Sequence, residues 1–247
     1  MAEAQSGPRA RYREQTRTEI KETALRQLAD GGVAALALTR IAKDMGLSGP
    51  ALYRYFASRD DLLNALIRDA YDDAATAIGV AAAESAAAAG SVAAPASPRE
   101  RLRSLAAAYR DWAVGEPHRY LLIQGSPVPG YVAPADTLDR ARAVLGPFLP
   151  VFAGGAPGAG VIPVVEQMTA WLGSDPAVGA WVAEYAADTA ADAAVSARAL
   201  AGALLAWAQL HGSVGLETAG QFAGMGHSVN TLLDAQIGML ADAFGLE

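Results

Sequence analysis

Residues 36–63, LALTRIAKDMGLSGPALYRYFASRDDLL, constrain the fold more than any other stretch of the chain. Thr39 is placed to cap a short helix through its hydroxyl. Ile41, Ala42 and Met45 give that helix one apolar face at helical spacing. Gly46 falls where the chain must turn sharply, a position that favours positive φ. Ser48 is a second N-cap, and Pro50 sits in the first turn of the next helix, where its missing N–H costs little. Leu52 and Phe56, four apart, point to a core, while Gly49, Ala51, Tyr53, Arg54 and Tyr55 form the opposite face. Ser58-Arg59-Asp60-Asp61 has the form of a capping box and opens a further helix through Leu62, Leu63 and Leu66.

Two short helices joined by a glycine turn suit the major groove of DNA, with the second helix presenting its N-terminal residues to base edges. Candidate DNA-facing residues are Thr39, Arg40, Ser48, Gly49, Pro50, Ala51, Tyr53, Arg54, Tyr55 and Arg59. The hydroxyl and guanidinium groups among them suit phosphate oxygens, and Arg54 suits either a phosphate or a guanine edge. Charge agrees with this placement. Residues 1–59 hold ten Lys/Arg and six Asp/Glu, a net of +4; the remainder carries −11, and together they make the −7 of the whole chain. A basic N-terminal module on an acidic body is the distribution expected of a DNA-binding head and a separate regulatory domain.

With 247 residues the chain is long enough for one large or two small domains. It contains no cysteine, which excludes disulfides and thiolate metal sites and fits a reducing cytoplasm. No signal peptide and no membrane-spanning run is expected. Residues 1–14 are expected to be a flexible arm, either one whose Arg9, Arg11 and Arg13 reach phosphate or a minor groove or a solvated tail. Residues 15–60 are expected to be the helix-turn-helix domain, its first helix over 16–30, and residues 61–247 a helical regulatory domain. Within the latter, 79–98 is low-complexity and reads as a fraying helix end followed by a flexible loop, and 125–131 reads as a rigid loop. The expected helices lie near 98–115, 118–124, 134–152, 161–172, 175–185, 189–215 and 219–244. No strand pattern competes, so the fold class is all-α.

Residues 15–70 resemble the DNA-binding domain of the tetracycline-repressor (TetR) family of bacterial regulators. The matching residues include Asp30-Gly31-Gly32, Ile41-Ala42, Gly46-Leu47-Ser48, Ala51-Leu52-Tyr53, Tyr55-Phe56 and Asp61-Leu62-Leu63. Trp207-Ala208-Gln209-Leu210-His211-Gly212 resembles the Trp-x-x-x-His-Gly signature of one C-terminal domain class of the same family. The resemblance implies a homodimeric transcription factor, usually a repressor, bound to a near-palindromic double-stranded operator and released by a small molecule of unknown identity. It also implies a four-helix dimer interface from the last two helices, 189–244. Ala199, Gly202, Ala203, Ala206, Leu233, Ile237 and Leu240 supply its small and apolar surface.

Aromatic and sulfur-bearing residues of the body are candidates for an apolar ligand pocket: Trp112, Tyr120, Met168, Trp171, Trp207 and His211. For Trp207 and His211, which share a helix face, a packing signature around a hydrogen-bonded core histidine is favoured over ligand contact. His118, His211 and His227 have no metal-binding spacing, and no nucleophile motif or phosphate loop occurs. No cofactor and no enzymatic activity are expected. The alternative to a regulator is a small-molecule binding protein whose head does not read DNA.

Overall fold

The computed structural model describes residues 7–88, 96–124, 133–187, 192–226 and 228–247, and among these every regular element is helical. The chain divides into two compact units, the first comprising residues 1–70 and 118–134, the second 71–117 and 135–247. The division thus falls after Ala70, ten residues beyond the expected boundary. The segment from His118, assigned by sequence to the regulatory domain, groups with the head. The expected rigid loop at 125–131 and His227 lie outside the described residues, as do residues 89–95 of the low-complexity stretch 79–98.

In the first unit, α1 (Pro8–Gly31) is followed by a 3-10 turn (Val33–Ala35), α2 (Leu38–Asp44), α3 (Gly49–Tyr53) and the start of α4 (Arg59–Ala88). Residues 8–14 are therefore helix rather than a mobile arm. Pro8 occupies the first turn, where its fixed φ is already helical and no donor is lost. Ile20, Ala24, Leu28, Ile41, Leu52, Phe56, Leu62 and Leu63 are buried and form the core of this unit. Helix α1 is tied to α4 by Lys21 Nζ, 2.8 Å from Asp69 Oδ2. Arg17 lies 4.4 Å over the Phe56 ring and donates from Nη1 to the Tyr55 carbonyl at 2.8 Å.

The second unit begins within α4, which continues to Ala88, so the helix end expected at the start of 79–98 runs through residue 88. Next comes α5 (Pro98–Gly115), opened by a reciprocal capping box. Ser97 Oγ accepts from the Glu100 N–H at 3.3 Å, and Glu100 Oε2 accepts from the Ser97 N–H at 2.8 Å. The helix buries Leu102, Leu105, Ala106, Tyr109 and Ala113, one apolar stripe. Helix α6 (Pro117–Gln124) returns to the first unit. The single helix expected over 134–152 is α7 (Thr137–Leu145), a 3-10 turn (Gly146–Phe148) and α8 (Leu149–Ala153). Pro147 and Pro150 each remove a backbone donor, which breaks the α-helical ladder there.

Helices α9 (Ile162–Ser174) and α10 (Pro176–Tyr185) precede α11 (Ala193–Thr218), whose N-cap Asp192 accepts from the Ala194 N–H at 2.8 Å. After α11 the chain turns through Gly220, at φ 70°, so residues 219–226 are not the helix start expected there. The last helix is α12 (Val229–Ala243).

Helix α11 packs against α5, α8, α9 and α12 and is the centre of this unit. By length and composition it is apolar enough to cross a membrane, which the sequence reading did not anticipate. Here its apolarity lines a protein interior: Ala197, Leu200, Ala203, Ala206, Leu210 and Val214 are fully buried. Small side chains let α8 approach closely. A Cβ built on Gly202 would lie 2.1 Å from Cγ of Phe152, and Phe152 in turn meets Phe244 edge-on at 5.0 Å.

Candidate nucleic-acid interface

The turn between α2 and α3 depends on Gly46, whose φ of 66° is costly for a side chain with a Cβ. It is followed by the expected cap: Ser48 Oγ accepts from the Ala51 N–H at 3.3 Å. Leu52, 1% exposed, and Phe56 anchor α3 to the core. Their burial turns Gly49, Pro50, Ala51, Tyr53 and Arg54 outward, with Tyr53 50% exposed. Tyr55 is half-buried. On α2, Thr39 and Arg40 are exposed, and Arg40 makes only a long contact, 3.4 Å, with Asp30. Thr39 is not the N-cap, however: α2 starts at Leu38 with Ala37 in the cap position and no side-chain cap.

Arg59 also departs from expectation. Its Nη2 donates to the Val33 carbonyl at 2.6 Å and its Nε to the Leu36 carbonyl at 3.1 Å. Gln27, 2% exposed, accepts from the Ala37 N–H through Oε1 at 3.1 Å. Arg59 from α4 and Gln27 from α1 together hold the connector that sets the direction of α2. The guanidinium presumed to reach phosphate is therefore committed to backbone acceptors within the fold. Arg59→Gln is expected to lose about 1.5–3 kcal/mol of stability, as a charged hydrogen bond to buried acceptors is worth. The salt dependence of DNA binding should not change. Fluorescence anisotropy over a KCl series checks this, since a lost phosphate contact would flatten the plot of log K against log salt by about 0.9.

In the second unit, three of the candidate ligand residues meet. Trp112 lies 6.0 Å and Trp207 5.5 Å from Tyr109, ring centre to ring centre, and the His211 ring is 4.1 Å from Trp207. Tyr109 Oη is 2.9 Å from His211 Nδ1. Burial pushes the His211 pKa down to about 4, so the ring is neutral at pH 7. His211 is thus neutral, hydrogen-bonded to Tyr109 and packed among aromatics. Arg110, beside this cluster in sequence, pairs with Glu217 through Nε at 2.8 Å. The other candidates do not join them. Met168 and Trp171 lie half-buried on α9, and Tyr120, fully buried, belongs to the first unit. A separate cavity of about 250 Å³ along α5 and α12 is lined by a mixture of polar residues, among them Arg103, Asp111 and Asp234, and apolar ones, Ala106, Leu233 and Ile237; none of the candidate ligand residues lines it.

The residues expected to form a dimer interface are corrected as a group. Ala199, Gly202, Ala203, Ala206, Leu233, Ile237 and Leu240 are all buried within one chain. Helix α11 packs against α5, α8, α9 and α12, and α12 against α5, so the single chain already covers these side chains.

A helix-turn-helix head with an outward polar face, joined in one chain to an all-helical second unit, is the architecture of helix-turn-helix regulators. Residues 20–66 match the bacterial regulatory proteins of the tetR family, and residues 102–240 match the tetracyclin repressor-like C-terminal domain. The chain belongs to the TetR family. It is 41% identical over 150 residues to HTH-type transcriptional regulators of Mycobacterium tuberculosis and Mycobacterium bovis, a match covering 60% of this chain and 61% of theirs. Among solved structures, the regulatory protein SCO4313 is 40% identical, with 96% of this chain and 100% of that one aligned at a TM-score of 0.73. The transcriptional regulator FadR from Bacillus subtilis, solved with stearoyl-CoA, shares the fold at a TM-score of 0.52 and 13% identity, over 92% of this chain and 98% of its own.

Proposed function

We propose that this protein is a sequence-specific transcriptional repressor that binds a near-palindromic operator as a homodimer and is released by a small apolar or aromatic ligand held in the second unit. The observation that carries the reading is the outward face of α3. Leu52 and Phe56 are locked into the core while Tyr53 and Arg54 stand in solvent beside the exposed Thr39 of α2. Small residues at Gly49 and Ala51 let that face approach base edges closely. Release requires the ligand to favour a state with weaker operator affinity, by about 1–3 kcal/mol in typical couplings. Trp112 and Trp207 support an apolar or aromatic ligand.

Helix α9 supports dimerisation, on a surface other than the one expected. Its sequence, IPVVEQMTAWLGS, is strongly apolar, yet none of its residues is buried and Ile162 is 38% exposed. It packs along α11, which itself leaves Ala208, Gly212 and Leu216 exposed at a spacing of four. A second copy covering α9 and this edge of α11 would bury the apolar stripe of both.

The test is a genome-fragment pull-down on the purified protein, followed by footprinting. The expected result is a protected near-palindrome bound with steep salt dependence. Tyr53→Ala with Arg54→Ala should reduce operator affinity at least about a hundredfold, two contacts of 1–3 kcal/mol each lost from both half-sites. Undiminished binding by that variant would refute the assignment of α3, and no enriched fragment even at low salt would favour a binding protein without DNA activity.

A further inference from the structure

Helices α5 and α12 run antiparallel, because Arg99 in the first turn of α5 pairs with Asp242 and donates from Nε to the Leu246 carbonyl at 3.0 Å. About three turns further along α5, Arg110 pairs with Glu217 at the end of α11, its Nε 2.8 Å from Oε2. Between these two fastened points lies the cavity of about 250 Å³. The space exists because α5 presents only the methyl groups of Ala106 and Ala107 there, against Leu233 and Ile237 of α12. Ala106, Leu233 and Ile237 are at most 5% exposed, so the floor is apolar and backed by core.

The rim carries opposite charges from the two helices. Arg103 stands on α5, while Asp234 and Asn230, four apart, share one face of α12. Arg103 and Asp234 are exposed, and among the described residues neither side chain makes an ion pair or a hydrogen bond, with the other or with anything else. Arg110, by contrast, is committed to Glu217, and Asp111 lies 3.5 Å from its Nη1. The antiparallel course puts Arg103 toward the Ile237 end of the cavity and Asn230 toward the Arg110 end. A cation and an acidic patch are thus held apart over an apolar floor. A simple anion would be repelled by Asp234 and Asp111, and a simple cation by Arg103. A molecule that carries both charges is attracted at both ends. The cavity is smaller than the roughly 300 Å³ at which pockets for drug-sized molecules begin, so its occupant is small.

We propose that this cavity is a second ligand site, separate from the aromatic cluster, for a zwitterionic α-amino acid with an aliphatic side chain. Its carboxylate pairs with the Arg103 guanidinium, whose parallel N–H donors match both oxygens. Its ammonium is held by the Asp234 carboxylate and the Asn230 amide oxygen, and its side chain lies on Ala106, Leu233 and Ile237. The site makes no use of DNA and is independent of the operator-binding assignment.

Isothermal titration calorimetry and thermal unfolding of the full-length protein, without DNA, test it with L-leucine as the probe. Leucinamide, which lacks the carboxylate, and N-acetyl-leucine, which lacks the ammonium, are the controls. L-Leucine should bind once per chain and raise the melting temperature. Each control should bind at least about tenfold more weakly, the effect of losing one charged hydrogen bond. Arg103→Ala and Asp234→Asn should each weaken L-leucine binding by a similar factor. Neither removes a polar contact within the fold, so their melting temperatures without ligand should equal that of the parent. Ala107→Trp, which fills the cavity from an exposed position, should abolish binding.

No heat of binding and no rise in melting temperature with L-leucine at millimolar concentration would overturn the proposal. Equal affinity for either control would also overturn it, by showing that one of the two charges is not read. Binding that survives all three substitutions would place the amino acid elsewhere. A fall in the melting temperature of ligand-free Arg103→Ala would make that residue structural and remove the site. Each of these outcomes leaves the operator-binding reading in place.

Discussion

Gly202→Val is expected to destabilise the second unit by at least about 3 kcal/mol, the upper end of what overpacking a core costs. Two effects oppose each other at this position. Glycine in a helix interior costs about 1 kcal/mol relative to alanine, and valine, whose branched side chain is restricted in a helix, recovers only part of that. Against this, the first carbon added would lie 2.1 Å from Cγ and 2.3 Å from Cδ1 of Phe152, a ring that is itself fully buried. The ring has no open space to retreat into, because its other side meets Phe244. The steric term therefore wins, and the melting temperature should fall by roughly 6–12 °C for a chain of this size. Gly212→Ala on the same helix is the counterpart. A Cβ there meets nothing within 4 Å, so a gain of about 1 kcal/mol is expected from propensity alone. Urea denaturation of both variants separates the two effects. A loss of stability in Gly212→Ala would mean that the second copy proposed to cover this edge of α11 approaches that glycine too closely for a Cβ.

Acidification is expected to cost the second unit on the order of 3 kcal/mol between pH 6.5 and pH 4 through His211 alone. Burial holds its pKa near 4 in the folded state, against 6.5 for an unhindered imidazole. Between these values the unfolded chain binds a proton that the folded chain does not, so stability falls as the pH falls. Above pH 6.5 both states carry a neutral ring and this residue contributes no slope. Below about pH 4 both are protonated and the loss is complete. The cause lies in the surroundings: Trp207 4.1 Å away, the Tyr109 ring at 6.0 Å, and the Tyr109 hydroxyl at 2.9 Å. His211→Asn should remove this part of the pH dependence, measured as the midpoint of urea unfolding across that window. An unaltered acid profile in the variant would move the source elsewhere.

The helix-turn-helix was legible because its determinants are local. The turn at Gly46, the cap at Ser48 and the Leu52–Phe56 pair all lie within eleven residues and obey rules of spacing and backbone geometry. The roles of Thr39 and Arg59 were not legible, because both depend on distant partners. Arg59 finds its acceptors 23 and 26 residues away, at Leu36 and Val33. Gln27 binds the Ala37 N–H ten residues ahead, and α2 begins one residue before Thr39. A charged residue near a recognition helix looks the same in sequence whether it faces a phosphate or a carbonyl of its own fold.

The same limit separates the core of the second unit from its interface. Periodicity identifies α11 and α12 as apolar helices with one small-residue face, but it does not say which neighbour that face meets. Only the folded chain puts Phe152 over Gly202, fifty residues away, and so turns an expected dimer surface into core. Conversely, the apolarity of α9 reads as ordinary core until the structure leaves every one of its residues at least partly exposed. By itself the sequence determined the family, the all-helical class and the outward face of α3, since these follow from patterns a few residues long. Tertiary packing alone decided which cations are consumed inside the fold, as Arg59 is by the Val33 and Leu36 carbonyls, because that depends on contacts between segments far apart along the chain.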